Sequence, residues 1–482
     1  MRRTIRAVVL ATLALLSAFG LGVTSTVTAA PPAQAVTALV APGTGTPDAN
    51  VIAGYLENAR DYYMTTTPCT LANDCDLVGV NYPASFWPIF FRPRWCVPGR
   101  CEKWDVSVAE GLNNYNSQLI DLLATTDEEI VMFGYSQGGA IVSDQLRLIA
   151  GIDPALKERL SVVLIGNIDN PLGGPWSLLG FLGTIPVVDV TTGMPTIVDT
   201  GIPMKSVHFE YDGTGDAPVY WGNPLAVLNA LAGFWYVHGQ MLWPNAYNET
   251  GLPNGYTPAE LADQMDPVLH PENFRYDSYG NPFITVPTRT LPIMEPLLRI
   301  ADRLRLTWLV QPLVDLVSPA MRVIIDTAYD READPGVPRY LSPLPFNPKL
   351  KLSTVVKDFV AAVGEGVQAF LQDIGVPPRN GAAPGSATSV PVSTSVTSTR
   401  APRLESAGVA PLNPESAQPD LNSIDPEAIS TSTGAAPKTA AANPIAETKS
   451  TRRAAKRDRT ERPAAAKSAA KAAGSRTGRA AA

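Results

Sequence analysis

A serine stands between two glycines at Gly134-Tyr135-Ser136-Gln137-Gly138, and the flanks of this pentapeptide admit few folds. Residues 129–133, Glu-Ile-Val-Met-Phe, read as a short buried strand. Residues 140–149 place Ile141, Val142, Leu146 and Ile149 at helical spacing. Gly-x-Ser-x-Gly between a strand and a helix is a nucleophile elbow, a turn too tight for side chains beside the serine. The helix behind Ser136 aims its N-terminal amides at any oxyanion formed there, which makes the backbone N–H of Gln137 one candidate donor. Other apolar runs, at 38–41, 77–80, 161–165 and 205–211, alternate with a helical pattern at 106–123. Continuous apolar strands between helices predict an α/β fold of the α/β-hydrolase type, a mostly parallel sheet covered by helices on both faces.

A serine nucleophile needs a base, and the chain has three histidines. The fold requires the chain order serine, acid, histidine. His208 lies inside a predicted strand, and His270 lies between prolines in a predicted surface loop. His238 follows Phe234-Trp235-Tyr236 and precedes Gly239, as a loop-borne base over an apolar pocket would. His238 is the preferred base. The acid has to follow the 205–211 strand, where Asp212 and Asp216 both qualify. Asp216 is preferred, because an acid several residues past the strand end can turn back to the imidazole; Asp212 is the alternative. The scheme needs no cofactor and no metal.

The first six residues carry three arginines and no acid, residues 7–23 are apolar, and Ala33-Gln34-Ala35 offers a small-residue cleavage site. This order predicts a secretory signal over residues 1–35 and a secreted or envelope-associated protein. Export favours disulfides among the four cysteines. Two close pairs predict Cys69–Cys75 and Cys96–Cys101. Zinc is the weaker reading, since neither spacing is Cys-x-x-Cys and no histidine is near.

The formal net charge is −7, but the leader carries +3 and residues 377–482 carry +7, leaving −17 on residues 36–376. An acidic body argues against nucleic acid as a partner. The Ala/Pro/Ser-rich tail from 377 lacks the apolar side chains to offset ordering entropy and reads as disordered. Its last 45 residues hold twelve Lys/Arg against three Asp/Glu, which suggests a tether to an anionic envelope surface. Residues 291–330 read as helical pieces broken by Pro296, Pro312 and Pro319, expected either to cap the site or to pack on the far side of the core. A further amphipathic helix is expected over 352–374. No segment after the leader is expected to span a bilayer, because Asp315 and Arg322 interrupt the most apolar run. Trp221, Trp235, Trp243 and Trp308 are candidates to line an acyl pocket.

The elbow Phe133-Gly134-Tyr135-Ser136-Gln137-Gly138-Gly139 and the loop Pro42-Gly43-Thr44-Gly45-Thr46-Pro47 resemble those of cutinases. That resemblance implies Thr44 as an oxyanion-hole hydroxyl. Gly215-Asp216-Ala217-Pro218-Val219 is similar to the cutinase acid loop, which again points to Asp216. Leu164-Ile165-Gly166-Asn167, Asn170-Pro171-Leu172-Gly173-Gly174, Ile185-Pro186, Tyr211-Asp212-Gly213-Thr214-Gly215-Asp216-Ala217-Pro218, Asn229-Ala230-Leu231-Ala232-Gly233 and Tyr236-Val237-His238-Gly239 resemble the PE-PPE domain of mycobacterial envelope proteins. The resemblance runs from about residue 39 to His238 and lacks the PE or PPE module. It implies a serine esterase acting on acyl esters or envelope lipids. The alternatives are an acyltransferase between envelope glycolipids such as trehalose esters, and a non-catalytic envelope scaffold.

Overall fold

The computed structural model describes residues 35–375 except residue 74. The tail, and all of the leader but its last residue, lie outside them. Among the described residues, seven strands form one sheet. They are Val36–Ala41 (β1), Cys75–Gly79 (β2), Glu129–Tyr135 (β3), Leu160–Ile165 (β4), Met204–Phe209 (β5), Phe274–Tyr276 (β6) and Pro282–Val286 (β7), in the order β2-β1-β3-β4-β5-β7-β6. Every neighbouring pair is parallel except the β6–β7 hairpin at one edge. The chain leaves β1 for β2 on one side and returns to β3 on the other. Such a switch in strand order opens a crevice at the carboxyl ends of the strands, where α/β proteins place their sites.

Period-two alternation divides the core. Val131 and Phe133 of β3 face the helix Tyr55–Tyr63 (α1), packing with Ala59 and Tyr63. Ile130 and Met132 face the helices Trp104–Thr125 (α2) and Gln137–Ile149 (α3), packing with Leu119, Ile141 and Leu146. Each fully buried side chain of this kind contributes about 1.5–3 kcal/mol. Both faces of the sheet are therefore covered, as expected for an α/β-hydrolase fold.

A third apolar cluster joins the loop after β5 to the chain beyond the sheet. Tyr211, Ala217 and Tyr220 pack with Ile325, Ala328 and Tyr329. The helices there are Pro224–Tyr236 (α4), Glu295–Arg303 (α5), Thr307–Asp326 (α6) and Leu352–Asp373 (α7). Two expectations change. Pro312 and Pro319 lie inside continuous α6 rather than breaking it; packing against α7 and α4 outweighs the missing amides, and Ser318 Oγ donates to the Val314 carbonyl at 2.6 Å. By length and composition alone, α6 is also apolar enough to cross a membrane, despite Asp315 and Arg322.

The cysteines pair as Cys69–Cys75 and Cys96–Cys101, with Cα atoms 5.2 and 4.3 Å apart. The first anchors the start of β2; the second closes the loop leading into α2.

The sheet closes tightly on the elbow. A Cβ on Gly138 would sit 2.0 Å from the Ala41 carbonyl oxygen at the end of β1, and one on Gly134 would sit 2.5 Å from the Gly138 oxygen. Backbone cannot yield as a flexible side chain can. Gly138→Ala is therefore expected to destabilise the domain by at least about 1–3 kcal/mol. Thermal unfolding followed by circular dichroism checks this, and an unchanged midpoint would refute it.

Candidate active site

Ser136 directly follows β3 and caps α3 with φ 57° and ψ −115°, a strained backbone for a residue with a side chain. The strain turns Oγ away from the sheet and toward the loop that follows α4. There His238 is buried, and its Nε2 lies 2.8 Å from Ser136 Oγ. On the other side of the ring, both carboxylate oxygens of Asp212 lie 3.1 Å from Nδ1. Asp212 is fully buried, and its oxygens also accept from the backbone N–H groups of Thr214 at 3.0 Å and Gly215 at 3.1 Å. A carboxylate fixed in this way selects the imidazole tautomer that leaves Nε2 free to take a proton from Ser136.

The structure thus brings Asp212, the alternative acid, to His238 in place of the preferred Asp216. Asp216 is buried but faces away from His238. Arg331 Nη1 and Nη2 donate to its two oxygens at 2.5 and 2.8 Å, and the Tyr211 amide donates at 2.9 Å. Burial alone would raise the Asp216 carboxyl, but Arg331, His208 and these hydrogen bonds together hold it below the usual range. The Asp216 amide also donates to the Asp212 carbonyl at 2.7 Å, so one tight turn carries both acids. Asp216 braces the turn and Asp212 faces the histidine.

The other histidines stand apart. Burial pushes His208 down to about 4, and its Nε2 lies 2.8 Å from Thr285 Oγ1 on β7. His270 pairs with Glu272 at 3.0 Å, and Gln264 lies beside its second nitrogen.

Thr44 occupies the loop after β1. A Cβ on neighbouring Gly43 would meet Ser136 Cβ at 3.2 Å, which places this loop against the serine. The Thr44 hydroxyl is buried without a hydrogen-bond partner among the described residues. An unmade buried hydrogen bond is costly, so such a hydroxyl suits an acceptor that arrives with a ligand. Gln137 begins α3, where the first amides have no intrahelical acceptor. Its side chain is spent elsewhere, with Nε2 donating to the Ser85 carbonyl at 3.1 Å.

Several residues hold His238, and only the aromatic flank among them was given that part in the sequence. Gly166, directly after β4, has φ +48°, and a Cβ there would sit 2.9 Å from His238 Cε1. The Tyr135 hydroxyl donates to the His238 carbonyl. Phe234 stacks on the imidazole with centroids 5.8 Å apart. Arg92 in turn donates to the Phe234 carbonyl at 3.2 Å and lies 4.1 Å from the Trp235 ring centre. Of the candidate pocket tryptophans, Trp308 is 74 % exposed on α6, and Trp221 donates to the Pro218 carbonyl at 2.8 Å.

Comparison with known proteins shows the family of the chain. The PE-PPE domain model matches residues 74–330, more than half of the chain. The chain belongs to the PE-PPE domain family. The chain is 31 % identical over 278 residues to the uncharacterized PPE family protein PPE42 of Mycobacterium tuberculosis, covering 57 % of this chain and 43 % of that protein. It is 30 % identical over 329 residues to esterase PE16 of the same species, covering 65 % and 52 %. The chain thus spans about half the length of these curated relatives. Among solved structures, a cutinase-like protein from Cryptococcus sp. is similar at 19 % identity and a TM-score of 0.24, over 38 % of this chain and 79 % of that one. The match range extends past the last residue of the triad-like cluster to residue 330, and so takes in α5 and α6 and ends directly before Arg331.

Arg331 provides a test of the acid assignment. Its loss leaves a buried carboxylate unpaired. Arg331→Met should cost on the order of 2 kcal/mol, less than the ~3–5 kcal/mol of a fully buried pair because Arg331 is part-exposed. In the wild type, the depressed Asp216 stabilises the fold above the ordinary carboxyl value of about 3.9, and this stability is lost as pH falls through its lower folded value. Without Arg331, burial raises Asp216 and acid relieves the unpaired charge. Urea unfolding of both proteins should therefore show the stability gap narrowing from neutral pH to about pH 4. A gap that widens would contradict the pairing.

Proposed function

We propose that this PE-PPE domain is a serine esterase acting on acyl esters, including lipids of the cell envelope, after export of the chain. The observation that carries the reading is the continuous chain Ser136 Oγ, His238 and Asp212, with gaps of 2.8 and 3.1 Å in a buried setting behind a strained elbow. Kinship with esterase PE16 and two disulfides in an expected export context support it.

In this reading Ser136 Oγ attacks the ester carbonyl carbon as His238 Nε2 takes the hydroxyl proton. The oxyanion meets the Gln137 amide and the orphaned Thr44 hydroxyl; losing one such donor typically costs ~10²–10³ in rate. The tetrahedral intermediate collapses, and His238 returns its proton to the leaving alkoxide. Water, deprotonated by His238, attacks the acyl-enzyme and releases the carboxylic acid, restoring Ser136. Asp212 holds the ring and balances the imidazolium charge without taking the proton.

On a short p-nitrophenyl ester, Ser136→Ala should fall to background, and Asp212→Asn should lower kcat by ~10³–10⁴. Asp216→Asn should lose stability, yet keep a kcat within about tenfold of wild type where it is folded. An inactive Asp216→Asn beside an active Asp212→Asn would return the acid to Asp216. Activity persisting in pure Ser136→Ala protein would remove the nucleophile.

A further inference from the structure

The helices beyond the sheet turn apolar side chains outward. On α6, Leu309, Leu313 and Val317 recur every four residues and are all exposed. On α7, Val356, Val360, Val363 and Val367 form one exposed stripe, with Val360 65 % exposed. On α5, Leu297 and Ile300 are exposed, as is Leu304 directly after it, while Ala301 on the flank of this stripe is buried. A helix packed on a water-soluble body normally buries its apolar stripe. Here the buried positions of α7 are Ala362 and Gly366, and a Cβ on Gly366 would lie 2.0 Å from the Leu316 carbonyl oxygen. The two helices meet through small residues at close approach, the way helices pair when their larger apolar side chains face lipid.

Two contacts orient this pair. Gly366 abuts Leu316, and the Asn347 amide just before α7 donates to the Thr327 carbonyl just after α6 at 2.7 Å. The helices are therefore antiparallel. Arg322 bonds Glu210 at 2.5 Å, and Asp326 accepts from the Tyr211 hydroxyl at 2.7 Å. These bonds fix the C-terminal half of α6 to the loop of Asp212. Asp315, within the apolar stretch, is turned to Gln311, whose amide lies 2.9 and 3.0 Å from its oxygens.

Charge marks the two ends of the pair. Residues 303–310 carry Arg303 and Arg305, with Asp302 directly before them and Asp373 at the end of α7; residues 344–357 carry Lys349, Lys351 and Lys357 and no acid, Lys349 being paired with Asp330 at 3.1 Å. This stands out on a body whose net charge is −17. Asp358 and Glu365 fall on the flank of α7 away from the valine stripe. The apolar surface also continues to the site. On α4, Leu228, Leu231 and Trp235 are exposed at spacings of three and four, and the helix ends two residues before His238. The Asn223 side chain at the start of α4 donates to the Ile324 carbonyl of α6 at 2.8 Å, and Arg299 of α5 lies 4.7 Å from the Tyr236 ring centre.

We infer that the α6–α7 pair, with the adjoining stripes of α5 and α4, is a lipid-docking surface that lies in the plane of a membrane and brings the mouth of the Ser136 site to its lipids. Apolar side chains enter the acyl boundary, and the cations at the two ends of the pair meet anionic headgroups. The inference rests on the lipid-ester reading for its purpose, but binding can be measured without turnover.

The test uses the full chain carrying Ser136→Ala, so that vesicle lipid is not consumed. Partition onto pure phosphatidylcholine vesicles is measured by co-sedimentation, with and without the added substitutions Leu309→Glu, Leu313→Glu, Val360→Glu and Val367→Glu. Neutral lipid excludes a purely electrostatic contribution from the basic tail. The four substitutions should weaken partition at least about tenfold, and Val360→Glu alone about threefold. With Ser136 restored, the fourfold variant should turn over a soluble short-chain ester within about twofold of wild type and lose activity on a lipid dispersion. Equal partition of the parent and both variants overturns the inference, as does a parent that ignores neutral vesicles. Sedimentation velocity showing a parent dimer that the substitutions dissociate overturns it in favour of a second copy on this face. If the esterase reading alone is wrong, soluble-ester turnover is absent while partition still falls.

Discussion

The backbone at Ser136 is the constraint on which the site depends. A residue with a side chain held at φ 57° and ψ −115° costs about 1–3 kcal/mol, and the surrounding sheet has to supply it. The register does so: Gly134 pairs with Ala41 of β1 on one side and Leu164 of β4 on the other, while Tyr135 pairs with Ile165. Gly134 and Gly138 let β1 and α3 close on the turn without overlap. Parallel strands ending together thus bring Ser136, Gly166 and the loop after β5 to one edge, where His238 can reach all three.

The second half of the site is held from farther along the chain. Tyr211 has φ +64° directly before Asp212, another strained position, and its ends are tied down separately. Its amide meets Asp216, its hydroxyl meets Asp326, and its ring packs near Tyr329 with centroids 5.5 Å apart. Arg331 and Arg322 bond the carboxylates of Asp216 and Glu210 on either side of this segment. The chain after the sheet therefore serves the Asp212 turn as a clamp, and the same helices carry the exposed apolar stripes. Site geometry and surface chemistry are coupled through one short loop.

Much of the sheet and the elbow could be read from local pattern, because a buried parallel strand and a Gly-x-Ser-x-Gly turn write themselves in neighbouring residues. His238 followed from having few histidines and from its aromatic flank. The choice between Asp212 and Asp216 did not follow, because both stand in one turn and the deciding partner, Arg331, is 115 residues away. The β6–β7 hairpin was missed for a related reason: its strands are short, and its Asp277–Gly280 turn is stabilised by Asp277 accepting from the Tyr279 and Asn281 amides rather than by a strong two-residue signal. Pro312 and Pro319 misled because local propensity yields to the packing of α6 against α7. The amphipathic character of α7 was visible in the sequence, but periodicity does not say which face is covered.

The central claim is that folding alone activates Ser136. A fluorophosphonate applied to the native full chain, followed by peptide mass spectrometry, tests this at a single atom. The account predicts one adduct, on the peptide holding Ser136, formed in the folded protein, absent after denaturation and strongly slowed by His238→Ala. No adduct on the folded chain, or an adduct on another serine that persists in Ser136→Ala, would contradict it.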